Sequence, residues 1–231
     1  MPFSKENEQR IIEIFGLILM KKTDIHSAER FTYRSVPHLK ELDNIVKSEL
    51  ALEGHSDKET LFESFRIMWC LAYAYDALGR PAVSSKYYKK AIELAAILYE
   101  TYGDEIPCSE EILYNTLISR NYYVDDNCMD IYKLALVFIP KDIVDNVFDE
   151  VMNNRRDCLH DPVEMTTGYL AVIDEIEEKI DKNKKGKIYR RLLYPGAGYC
   201  HYVWGLKASY LREKGIIWRD PSSLNPNIRF D

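Results

Sequence analysis

An all-α fold is what this sequence predicts, on three observations. Apolar residues recur at spacings of three and four in one stretch after another, the period of a helix with one buried face. The breaks carry helix-ending and helix-starting residues, most clearly at Leu78-Gly79-Arg80-Pro81. There Gly suits a left-handed C-terminal cap and Pro the first turn of the next helix. A chain of 231 residues, 46% hydrophobic, is also long enough for a sizeable core in one or two domains.

Residues 4–22 form the first expected helix, with Ile11, Ile12, Phe15, Ile18 and Leu19 on one face and Lys21 and Lys22 in the last turn, where cations suit the dipole. Segment 23–36 is mixed, with room for a short helix over 25–31. Pro37 opens the next helix, with Leu39, Leu42, Val46 and Leu50 on one face and Gly54 ending it. Residues 61–99 are the stretch around which the rest is organised. Ser56 and Glu59 have the form of an S-x-x-E capping box, which places a helix start near Asp57. Leu61, Phe65, Met68, Leu71, Ala72 and Tyr75 follow as a core-facing stripe. Beyond Pro81, the small residues Ala91, Ala95 and Ala96 permit close approach of a neighbour.

Leu71, Ala72, Tyr75, Leu78 and Gly79 before the bend, and Tyr88, Lys90, Ala91, Ile92, Glu93 and Leu94 after it, make residues 57–101 resemble a tetratricopeptide-type helical hairpin. That module usually holds other polypeptides. Trp69 stands one place beyond the usual tryptophan, Ser84 replaces a usual Ala, and Ala96 stands where a closing Pro is common. The resemblance implies antiparallel hairpins stacked as a short right-handed solenoid over residues 1–154. Tyr88-Lys89-Lys90-Ala91-Ile92 is echoed by Tyr132-Lys133-Leu134-Ala135-Leu136. The echo is either a chance match or the mark of a degenerate second hairpin over 110–138.

A helix is expected from Cys108 or Ser109 to about Tyr123, and another from Asp125-Asp126-Asn127 to Phe138. The adjacent aspartates read as a cap before they read as a metal site. Pro140 opens a helix with Ile143, Val144, Val147, Phe148, Val151 and Met152 on one face. Residues 153–165 break the pattern and separate a C-terminal subdomain, 155–231. Asp161-Pro162-x-Glu164 has the form of a cap, with Thr166 or Thr167 as the other possible start of a helix to about Asp181. That helix presents Asp174, Glu175, Glu177 and Glu178 outward. The run Lys182, Lys184, Lys185, Lys187, Arg190 and Arg191 then reads as a solvated loop, or as a dock for an acidic group. A last helix, 197–214, turns Tyr199, Val203, Leu206 and Tyr210 inward. In the tail Ile216, Ile217, Trp218, Leu224, Ile228 and Phe230 call for burial, while Pro221 and Pro226 forbid a helix through them. An extended strap across the helices is expected. The block Cys200-His201, Trp204, Trp218-Arg219, Pro221, Asn225-Pro226 and Phe230-Asp231 is similar to the ends of uncharacterised bacterial helical-repeat proteins.

Composition narrows the function. A net charge of −6 argues against a nucleic-acid surface, which usually needs a basic domain. The stretch 11–20 is short and interrupted by Glu13 and Gly16, so no membrane span or secretory signal is expected. Five scattered cysteines suggest reduced thiols in a cytoplasm. By the tetratricopeptide resemblance Arg66, Trp69, Tyr73 and Asp76 face a groove, where rings would take the apolar side chains of a peptide and charges would fix its ends. If the neighbouring helices or the strap fill that groove, the same residues are core. The expected function is therefore a protein-interaction scaffold for a peptide or helix, without cofactor. The alternative is a small-ligand, metal-binding or catalytic site near His160, Cys200, His201 and Trp204. Cys158, His160, Cys200 and His201 have the donor types of a zinc site. Adjacent Cys200 and His201 point about 100° apart on a helix, so no metal is expected. Gly196-Ala197-Gly198 with Arg190 and Arg191 offers either an anion cradle or a sharp turn. No P-loop, G-x-G-x-x-G or G-x-S-x-G motif is present.

Overall fold

The structure is a computed structural model that describes residues 3–19, 35–51, 57–121, 123, 128–154, 159–185 and 199–230. Among the described residues every regular element is helical, and the one bridge pairs Tyr123 with His160. The expected features at 23–34, Gly54, Ser56, Asp125 to Asn127, Cys158, Arg190, Arg191 and Gly196 to Gly198 lie outside the described residues. The chain divides into two compact units, one of residues 1–120 with 127–154 and one of residues 121–126 with 155–231.

The first unit contains α1 (Lys5–Leu19), α2 (Val36–Ala51), α3 (Lys58–Ala77), α4 (Pro81–Tyr102), nearly all of α5 (Ser109–Asn121), α6 (Met129–Ala135) and α7 (Lys141–Asn153). α3 and α4 pack against each other most extensively, around the elbow that Gly79 and Pro81 make. Gly79 takes φ +69°, the left-handed conformation glycine adopts without a Cβ penalty, and Arg80 N–H closes the corner on the Tyr75 carbonyl at 2.9 Å. Leu61, Phe65, Met68, Leu71, Ala72 and Tyr75 are all buried, and the Tyr75 ring stacks on Tyr87 across the hairpin at 5.4 Å. Ala91, Ala95 and Ala96 are buried too. Small side chains there let α3 and α4 approach closely.

α3 starts where the sequence places it, near Asp57, and Asp57 is its N-cap: it accepts the Thr60 amide (2.9 Å) and also the Thr60 hydroxyl (2.9 Å). The carboxylate gives one oxygen to each of these two donors. α6 is shorter than expected and turns at residues 136–138. Arg120 and Lys89 both reach Asp130, at 2.8 and 2.7 Å, tying α4 and α5 to α6.

In the second unit Asp161 caps a 3-10 turn (Pro162–Met165), and α8 (Thr167–Lys185) follows, so both expected starts are used in succession. α8 carries Ile173, Ile176 and Ile180 inward and packs on α9 (Tyr199–Glu213). Among the described side chains of α9 Leu211 is fully buried, whereas Val203, Leu206 and Tyr210 are only half-buried; the expected inward side chain of Tyr199 lies outside the described ones. The tail is not a simply extended strap: Pro221 opens a one-turn helix, α10 (Pro221–Leu224), capped by Asp220. Ile217 is 84% exposed, against the expectation of burial, because Trp218 beside it turns inward. Lys182 pairs with Glu178 at 2.7 Å, one turn back on α8.

Candidate functional site

The outer face of α3 builds a groove. Spacings of three and four place Trp69, Tyr73 and Asp76 in a row opposite the buried stripe. All three line a cavity of about 590 Å³. Phe15 of α1 and Leu39 and Leu42 of α2 supply its apolar wall, Tyr88 of α4 its floor, and Glu111 and Asn115 of α5 its polar edge. Arg66 is not part of that lining; it is exposed and donates to Glu63 at 3.0 Å. Tyr73 stands 53% exposed, and the half-buried Trp69 ring lies tilted against Phe65 at 6.2 Å. Tyr88 is 3% exposed, and burial first, then the charges of Asp76 and Glu111, push its phenol up from the ordinary range. Sequence reasoning placed Phe15, Leu39 and Leu42 on core stripes and gave Glu111 and Asn115 no role. Apolar spacing of three and four does not say which side chains face a neighbour and which face a gap between helices.

A second cavity of about 360 Å³ lies between α5 and α7, lined by Cys108, Glu110, Glu111, Tyr114, Val147 and Glu150. Glu111 lines both cavities.

The second unit distributes the other expected residues over two clusters. His201 is exposed and meets Trp204 edge-on at 5.1 Å, and Trp204 meets Phe230 in the same way at 5.1 Å. Cys200 is half-buried and is not in a disulfide. His160 instead sits at the start of the 3-10 turn, its ring 5.9 Å from Tyr123 and its Nδ1 3.3 Å from Glu164 Oε2. Glu164, not singled out as a site residue in the sequence, is the centre of this second cluster. It is 3% exposed, accepts the Trp218 indole N–H at 2.6 Å and lies 3.6 Å from Lys207 Nζ. Lys207 in turn lies over the Trp218 ring at 4.5 Å and the Tyr169 ring at 5.3 Å. Burial opposes ionisation of Glu164, but the His160 hydrogen bond, the Lys207 charge and the indole donor outweigh it, so the carboxyl lies below the usual range. Asp161 and Asn225 hold the tail in place: Asp161 takes the Arg219 amide at 2.7 Å, and Asn225 both accepts from the Leu159 amide (2.8 Å) and donates to its carbonyl (2.9 Å).

Among the described residues no group of three or more His, Cys, Asp or Glu side chains is gathered as a metal site. Chemically, the groove of the first unit offers apolar and aromatic surface with a carboxylate edge, while the polar cluster of the second binds its own chain together. Comparison with known protein families, with curated proteins and with solved structures finds no match to this chain.

Proposed function

We propose that the protein is an interaction scaffold that holds a peptide or helix of another polypeptide in the groove along α3, its hairpins stacked in the manner of a tetratricopeptide right-handed solenoid. The observation that carries this reading is the row Trp69, Tyr73 and Asp76 on the wall of a cavity of about 590 Å³ shared by α1 to α5. Cavities of roughly 300–1,000 Å³ are the size that takes a ligand or a few anchoring side chains. Tyr and Trp are the residues that most often anchor a protein partner. Net charge −6 disfavours a nucleic-acid partner, and no described helix is long and apolar enough to cross a membrane.

Handling of a small molecule or metal near His160, Cys200, His201 and Trp204 has less support. His160 and His201 belong to different clusters, and the oxygens of Glu164 are engaged by its own chain.

The test is affinity capture with the full chain, peptide mass spectrometry, and the same capture with Trp69→Ala. A specific polypeptide retained by the wild type and lost by the variant is the expected result. The half-buried ring should cost the variant less than the roughly 3 kcal/mol of a core Trp truncation. A larger loss of stability, or capture unchanged by the substitution, overturns the groove reading.

A further inference from the structure

The acidic edge of the groove continues beyond it. Glu111 stands between the two cavities of the first unit, and the smaller one adds Glu110 and Glu150. No Lys or Arg is among the described lining of either cavity. Several other surface carboxylates are paired with cations: Glu13 and Glu41 with Arg10, Glu63 with Arg66, Glu93 with Lys90, and Glu175 with Lys179 and Lys214. No described cation pairs with Glu110, Glu111 or Glu150. The dipole of α5 accounts for Glu110 and Glu111, which stand in its first turn. It does not account for Glu150, which stands in the last turn of α7, where a carboxylate opposes the dipole. A second observation lies inside the groove. The Tyr88 side chain, more than nine-tenths buried, lines the cavity, and its hydroxyl makes no hydrogen bond among the described residues. A phenol oxygen at a cavity wall with no described partner has a donor and an acceptor available to a ligand.

We infer that the polypeptide held here is a basic amphipathic segment, its apolar side chains seated against Trp69, Leu39 and Leu42 and its Lys or Arg residues lying over Glu111 toward Glu110 and Glu150. This rests on the groove reading above and adds the partner's chemistry. An apolar or acidic segment laid over three carboxylates would strip their water without compensation. Lys or Arg there supplies charge-assisted hydrogen bonds and draws the partner in from a distance. The Tyr88 hydroxyl is placed to meet a backbone or side-chain polar group of whatever enters.

The experiment uses the full chain and three fluorescent peptides that share one amphipathic apolar pattern and carry three Lys, three Gln or three Glu beside it. Fluorescence polarisation should show the Lys peptide binding about tenfold more tightly than the Gln peptide, and the Glu peptide more weakly still. Raised salt should shrink the difference, since exposed charges are screened. The exposed substitutions Glu110→Gln, Glu111→Gln and Glu150→Gln together should abolish the preference while circular dichroism stays unchanged. Equal binding of the Lys and Gln peptides, lost in Trp69→Ala, overturns the charge inference and leaves the groove reading standing. Lys-peptide binding indifferent to Trp69→Ala overturns both, as does absence of binding by all three. Should the triple variant misfold, the peptide series and salt dependence on the wild type still decide.

Discussion

Glu164 shows how one buried charge is made tolerable. A carboxylate out of water costs several kcal/mol unless its oxygens are engaged. Here one oxygen takes the Trp218 indole and the other faces His160, with Lys207 close by. Trp218→Phe keeps most of the ring and removes only the N–H donor. The expected cost is about 1–3 kcal/mol, the range for leaving a buried polar atom unsatisfied, read as a lower midpoint in a urea titration. A variant as stable as the wild type would mean that the indole bond contributes nothing. Little of this was legible beforehand. The His160–Glu164 pair is four residues apart and could have been read as one turn of structure, but Trp218 joins from 54 residues away. No local pattern announces such a partner, and Trp218 was legible only as a residue that needed burial.

At the scale of elements the α3–α4 hairpin was the most legible part, because every signal that makes it is local. Periodicity gives the buried stripe, glycine the left-handed corner, and proline the restart. Gly79 has open space where a Cβ would go, so a substitution there meets backbone strain and no clash. Gly79→Val should cost about 1–2 kcal/mol, the penalty for an L-residue in the left-handed region, whereas Gly79→Asn, which tolerates that region, should cost less. Thermal melts of the two variants check the order; Val equal to Asn would mean that the corner is not held at positive φ in solution. Asp57→Ala should cost about 1 kcal/mol as the loss of an N-cap, read by the same melts. The sequence reading placed the helix start at this residue without naming it as the cap, since the cap's side-chain bond depends on the backbone path. The groove was legible only on the α3 side. Trp69, Tyr73 and Asp76 share a helix face that spacing reveals, while the apolar wall from α1 and α2 and the edge from α5 depend on how separate helices pack. Arg66 shares the same spacing, yet it pairs with Glu63 outside the lining.

For the whole molecule, carboxylates with depressed pKa values predict the response to acid. In the first unit burial raises the Asp130 carboxyl, but hydrogen bonds from Lys89 and Arg120 outweigh it and hold it at about 2, against 3.8 when unperturbed. In the second unit Glu164 lies below its ordinary 4.5 and Asp161 below 3.8, the latter through Arg219. A group whose folded carboxyl is depressed binds fewer protons folded than unfolded, so its contribution is fully present above the unfolded value and is lost as pH falls through the folded one. Stability should therefore be flat above about pH 5 and decline from pH 4.5 toward 2. The exposed part of that decline is small. The Asp130 side chain is 42% exposed, so its ion pairs should contribute no more than about 1 kcal/mol, and Asp130→Asn should remove at most that much at pH 7 and only a small fraction of it near pH 2. Glu164, screened from water, should account for more, so Glu164→Gln should flatten the acid limb further than Asp130→Asn does. Urea titrations at pH 7, 4.5, 3 and 2 measure both. A stability that rises on acidification, or an acid limb unchanged by Glu164→Gln, would show that the buried carboxylate is not ionised in the folded chain.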